Sequence, residues 1–292
     1  MNDFRIQKNV WEGPDGTAFQ LAQWPTPEQP NGFLFVIHHG HGEHADRYTE
    51  MAERLVALGF EVVGYDVRGH GQSAGARGDA DGLDGLIDDL ESLLQLFLTR
   101  CEAQKIILFG HSMGGATVAR YLTHRVPHGN IAGVILSSPA LGVHTDTATN
   151  IKLKVGRVLA HILPKLTLRT GLDADGISSD PREVERYLAD PLIHSSISTR
   201  LGTSLVDQAK DSIRQANNVV LPTLVYHGTN DSICDIDGSR RFAENATNCD
   251  MSFESISGGS HELHHEVPHI QAQWWNVLES WLTSRHMIRI AS

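Results

Sequence analysis

No stretch of this chain approaches the roughly eighteen consecutive apolar residues that a spanning helix needs. Residues 1–10 are polar and charged, without the apolar segment of a secretion signal. Cysteine is scarce: Cys101, Cys234 and Cys249 are an odd number at scattered spacing, which excludes a disulfide framework and fits no zinc pattern. These absences together predict a cytoplasmic protein in a reducing compartment. Basic blocks are missing as well. Lys and Arg number 24 against 35 Asp and Glu, and the formal net charge of -11 repels phosphate backbones, so nucleic acid is not an expected partner.

What is present is ordinary globular material, 292 residues with 40% hydrophobic side chains, enough for one large core carrying an insertion. Residues 1–32 alternate weakly around Pro14-Asp15-Gly16 and predict an N-terminal hairpin. Residues 33–38, 60–65, 105–109, 131–136, 223–226 and 251–256 are predicted strands, the first a continuous apolar run, and the pattern at 46–59, 83–98 and 267–284 predicts helices between and after them. Strands alternating with helices imply right-handed crossovers, a mostly parallel sheet flanked by helices, and functional loops at the strands' carboxyl ends.

Between about 142 and 220 the strand rhythm stops. The expected organisation is a core over 1–141 and 221–292 with a helical cap inserted over 142–220. Within the insertion, Ile151, Val155, Val158, Leu159, Ile162, Leu163 and Leu166 share one arc of a helical wheel beside Lys154, Arg157, His161 and Lys165, and Pro164 should end or kink that helix. Such a stripe either packs on its own domain or touches a lipid surface.

Chemistry is signalled by Gly110-His111-Ser112-Met113-Gly114, a G-x-S-x-G turn between a strand and a helix. A serine hydroxyl needs a base to take its proton and a third group to orient that base. In the order serine, acid, histidine, the acid is expected just past the 223–226 strand, at Asp231 ahead of Asp235 and Asp237. The histidine is expected past the 251–256 strand, at His261 ahead of His264 and His265. Two backbone N–H groups should receive the oxyanion: that of Met113 after the nucleophile, and that of His41 in the His38-His39-Gly40-His41-Gly42 loop. No cofactor is expected. Two rival metal signals exist, the H-E-x-x-H match of residues 261–265 and the histidines at 38, 39, 41 and 44; the first follows a Gly-rich turn where a helix would be needed, and the second point in alternating directions. No metal site is expected.

With these residues in place, the chain resembles the α/β-hydrolase superfamily and, within it, the monoacylglycerol lipase and lysophospholipase group. The resemblance is carried by His39-Gly40-His41-Gly42-Glu43-His44 with Arg47-Tyr48, Gly69-His70-Gly71-Gln72-Ser73, the 110–115 elbow, Asp190-Pro191-Leu192-Ile193, Gly228 to Asp231 and the 261–266 segment. It implies an α/β-hydrolase fold, Ser112, Asp231 and His261 as catalytic residues, and a glycerol end held by Glu43, Arg47, Tyr187 and His264. His41 departs from the small or apolar residue usual at its position and is expected to narrow or polarise the pocket mouth. The implied activity is cofactor-free hydrolysis of a small lipid ester such as monoacylglycerol, with transient membrane contact through the cap and no protein partner; lysophospholipase or broader carboxylesterase activity is the alternative. A non-catalytic ligand-binding role is a remoter one.

Overall fold

Continuous apolar runs form strands that are buried on both faces, and here they build the centre of one sheet. The computed structural model describes residues 7–142 and 147–288. Part of the polar start (1–6), part of the predicted insertion (143–146) and the Ile151 side chain lie outside the described residues. β1 (Gln7–Glu12) and β2 (Ala18–Gln23) form the N-terminal hairpin. Then β3 (Phe33–His38), α1 (Thr49–Ala57), β4 (Glu61–Tyr65), α2 (Gly82–Arg100), β5 (Lys105–His111), α3 (Met113–His124) and β6 (Ile131–Ser137) alternate. After β6 come α4 (Thr147–Ile162), β7 (Thr167–Arg169), α5 (Pro181–Ala189), β8 (Ser196–Ser198) and α6 (Thr199–Arg214). β9 (Thr223–Gly228), α7 (Ile236–Asn245), β10 (Met251–Ile256) and α8 (Pro268–Ser284) resume the alternation.

The sheet has eight strands in the order β1-β2-β4-β3-β5-β6-β9-β10. β2 pairs antiparallel with β1 and β4, and every other neighbour pair is parallel. β3 shows why the central strands are apolar on both faces: Leu34 and Val36 join one hydrophobic layer with α2 and α3, while Phe35 and Ile37 join the other with α1 and α8. All four are fully buried. β5 lies centrally, so its carboxyl end, where the serine sits, opens between loops from β3, β6, β9 and β10.

The insertion differs from the all-helical expectation. β7 and β8 form a two-stranded antiparallel ribbon, too short for an alternating pattern to show. α6 does not stand apart, since Leu201 and Ala209 are buried in the layer of α2 and α3. α4 stops at Ile162, two residues before Pro164, whose ring disfavours helical backbone just ahead of it. Its apolar stripe faces outward: Val155 is 52% exposed, Val158 60% and Ile162 68%. Lys154, His161 and Lys165 flank it in solvent, while Arg157 is tied to Asp207 of α6 at 2.5 Å.

Candidate active site

A strand that must turn into a helix within two residues brings its backbone close to itself, and glycine is what allows this. A Cβ on Gly110 would lie 2.7 Å from the carbonyl oxygen of Gly114, and one on Gly114 would lie 2.3 Å from that of His38. Between them Ser112 takes φ 52°, ψ −117°, a strained backbone that costs about 1–3 kcal/mol. Hydrogen bonds hold it there. The Ser112 N–H donates to Ser137 O at 3.0 Å, and the N–H groups of Ala116 and Ala140 both donate to Ser112 O at 2.9 Å. The hydroxyl is thereby presented at the first turn of α3, where the helix dipole favours negative charge.

The acid and the histidine arrive from the ends of β9 and β10. Asp231 Oδ2 lies 2.7 Å from His261 Nδ1, and Asp231 Oδ1 accepts the N–H groups of Ile233 at 2.8 Å and Cys234 at 2.9 Å. Burial opposes the Asp231 charge, but His261 and His227 outweigh it and hold the carboxyl well below the usual carboxylate range. Burial likewise opposes a charged His261 ring; Asp231, helped by Glu262, outweighs it and raises the pKa. The pair therefore stabilises the imidazolium that forms when His261 takes a proton. Asp235 caps α7 instead and Asp237 lies exposed in its first turn. His261 and Ser112 line one small cavity of about 40 Å³, with His111, Tyr187, Ile233 and Glu262 among its walls.

The β3 loop passes directly over the serine. A Cβ on Gly40 would stand 3.1 Å from Ser112 Cβ, and the loop is pinned by Glu43, whose Oε1 accepts the Gly40 N–H at 2.6 Å and the Tyr48 hydroxyl at 2.8 Å. Its next residue is His41. The Met113 N–H, first in α3, has no intrahelical acceptor. The His41 ring does not line the cavity, against the expectation that it shapes the mouth. It turns to His70 and His194, with Nδ1 3.3 Å from His70 Nε2. Burial there pushes its pKa down to about 3.

The four residues expected at the glycerol end divide. Tyr187 lines the cavity, its ring 5.0 Å from the Arg47 guanidinium, and burial with the Glu262 carboxylate pushes its hydroxyl up to about 12. Arg47 donates to Glu43 at 2.9 Å and to both Glu262 oxygens at 2.7 and 2.6 Å. Glu43 is spent on the loop. His264 is buried, its ring stacked 4.8 Å from Tyr48 and 5.3 Å from the ring of His111, which lines the cavity.

The zinc alternatives do not assemble. Residues 263–265 make one 3-10 turn, and His261 faces Asp231 instead of His265. Among the described residues Glu262, His264 and His265 alone approach a ligand cluster, and there Arg47 already donates to Glu262 and lies 3.3 Å from His265. A metal cation would meet a guanidinium. His38, His39, His41 and His44 reach different partners: the Tyr65 hydroxyl, the Val67 N–H, His70 and Asp190.

Two residues were missed from sequence. His227, at the end of β9, is fully buried with Nε2 3.0 Å from Asp231 Oδ2 and Nδ1 2.8 Å from Ser239 Oγ. Its signal was its place four residues before the acid at a strand's carboxyl end. The sequence offers Glu262 only within the H-E-x-x-H match, and its pairing with Arg47, 215 residues away, leaves no local trace.

Comparison with known proteins places this geometry. Residues 29–268 match the serine aminopeptidase S33 family. The monoacylglycerol lipase of Mycolicibacterium smegmatis is 31% identical over 260 residues, covering 89% of this chain and 91% of that protein. The monoglyceride lipase of Homo sapiens is 30% identical over 272 residues, covering 93% of this chain and 88% of its own. The crystal structure of Paleococcus ferrophilus monoacylglycerol lipase superposes with a TM-score of 0.81 at 32% identity, covering 95% of this chain and 99% of that one.

Proposed function

Because the chain belongs to the serine aminopeptidase S33 family of α/β-hydrolases, we propose that it is a carboxylic ester hydrolase that cleaves monoacylglycerol to glycerol and fatty acid through an acyl-enzyme on Ser112. Relatives at 30–32% identity that match nearly their whole length are monoacylglycerol lipases, which supports the substrate class. The observation that carries the chemistry is the Asp231–His261 pair at 2.7 Å sharing one cavity with a serine on a strained strand-to-helix turn.

His261 takes the Ser112 proton as the hydroxyl oxygen attacks the ester carbonyl. The carbonyl oxygen, now negative, is received by the N–H groups of His41 and Met113. As the tetrahedral centre collapses, the C–O bond to glycerol breaks and His261 returns its proton to the departing oxygen. Water then repeats the sequence on the acyl-enzyme, releasing the fatty acid and regenerating Ser112. Asp231 holds the imidazole in one tautomer throughout.

A cavity of about 40 Å³ has room for roughly a water molecule. An acyl chain needs more room than that, and the exposed Val155, Val158 and Ile162 of α4 supply a face for contact with a lipid surface. Among the described residues no helix is long and apolar enough to cross a membrane.

Incubation with a fluorophosphonate tests the assignment. Labelling at Ser112, with loss of labelling and of monoacylglycerol turnover in Ser112→Ala, is expected. Retained turnover in that variant would overturn it.

A further inference from the structure

Arg47 is shared between two carboxylates. Its Nη1 donates to Glu43 Oε2 at 2.9 Å and to Glu262 Oε1 at 2.7 Å, and its Nη2 donates to Glu262 Oε2 at 2.6 Å and lies 3.3 Å from His265 Nδ1. Both terminal nitrogens are thus committed to the protein, so they offer no fork to an incoming phosphate. Two carboxylates against one guanidinium, with His265 Nδ1 2.9 Å from Glu262 Oε2 and its Nε2 2.9 Å from Arg47 O, leave a formal charge of −1 while the His265 ring is neutral, at a site where only a few per cent of either glutamate is exposed.

The two glutamates are not equivalent. Glu43 turns its second oxygen inward to Gly40 and Tyr48. Glu262 lies in the cavity wall beside Ser112, His261 and Tyr187, and its backbone N–H is fixed to Ile177 O of the insertion at 2.7 Å. The carboxylate at the edge of the reaction space is therefore Glu262. It carries negative charge at neutral pH: burial opposes ionisation, but Arg47, helped by His265, outweighs it and holds the carboxyl well below its usual range. A carboxylate accepts hydrogen bonds from hydroxyl groups and repels a phosphate across a low-dielectric gap.

We infer that Glu262 sets leaving-group specificity here, admitting an uncharged polyol and excluding the same polyol when it bears a phosphate. This rests on the monoacylglycerol reading above and divides it from the lysophospholipase alternative. Burial of Glu262 makes the discrimination local: the charge is too enclosed for bulk salt to screen it as it would a surface residue.

The test compares three substrates with one acyl chain: the 1-acylglycerol, the 1-acylglycerol 3-phosphate and the p-nitrophenyl ester. In the wild-type protein kcat/KM for the phosphate-bearing substrate is expected to lie far below that for the acylglycerol. In Glu262→Gln the ratio of the two is expected to move toward the phosphate by about tenfold or more, with the p-nitrophenyl ester reporting that the serine still turns over. An unchanged ratio in a variant that cleaves the p-nitrophenyl ester overturns the inference. A second measurement needs no variant: glycerol should inhibit wild-type p-nitrophenyl ester hydrolysis at lower concentration than glycerol 1-phosphate, and the reverse order overturns the inference too. Turnover of the p-nitrophenyl ester with neither acylglycerol cleaved would bring down the monoacylglycerol reading itself.

Discussion

Asp231 answers to two histidines, and only one of them faces the serine. With its proton on Nε2, His227 faces Asp231 Oδ2 at 3.0 Å and Cys234 O at 3.2 Å, and its Nδ1 accepts from the Ser239 hydroxyl at 2.8 Å, so one tautomer satisfies all three contacts. The result is a carboxylate whose free rotation is removed by a residue that never meets substrate. Hydrogen bonds to charged groups contribute about 1.5–3 kcal/mol. For His227→Ala the expected outcome is therefore a fall in kcat of about 10- to 100-fold with KM little changed, read by steady-state kinetics on a p-nitrophenyl ester. A change confined to KM would argue that His227 shapes binding instead. Cys234 lies nearby, but burial raises its thiol well above the usual value and leaves it unreactive.

Elements were legible where one cause acts along a run of residues. Strands such as 33–38 and 131–136 could be placed because a covered parallel strand is apolar throughout, and the elbow could be placed because Gly110 and Gly114 must both be small. The serine, acid and histidine positions followed from order along the chain and distance past a strand end. What stayed hidden depends on partners far away: the β7–β8 ribbon, the burial of α6 against α2 and α3, the stacking of His264 on Tyr48, and the Arg47–Glu262 pair. The stripe on α4 was legible as a stripe, yet its two readings differ only in what covers it. With Val158 and Ile162 outward, replacing either by Asp is expected to leave the thermal midpoint within about 2 °C while reducing co-sedimentation with phospholipid vesicles several-fold. Undiminished co-sedimentation would return the stripe to a merely tolerated exposure.

The molecule as a whole is unusually dependent on neutral imidazoles. Burial lowers the pKa values of His38, His39, His41, His70, His111, His194 and His264, His38 and His41 each to about 3. Below about pH 6.5 the unfolded chain takes up protons that the folded one refuses, so this contribution to stability is complete above that pH and is lost as the pH falls. Each fully suppressed ring costs about 1.4 kcal/mol per pH unit, and three acting together cost about 4 kcal/mol against a total stability on the order of 5–15. Urea midpoints measured at pH 7.5 and 5.5 are expected to drop steeply between the two, and a flat profile would contradict the buried neutral state. Loss of activity in acid would then reflect unfolding as much as protonation of His261.

The outward face of α4 has a further consequence at this scale. A hydrolase that reaches its substrate through such a face counts molecules per unit of surface instead of per unit of volume. Diluting the substrate lipid with an inert one then slows turnover, whereas adding water to the same vesicles does not.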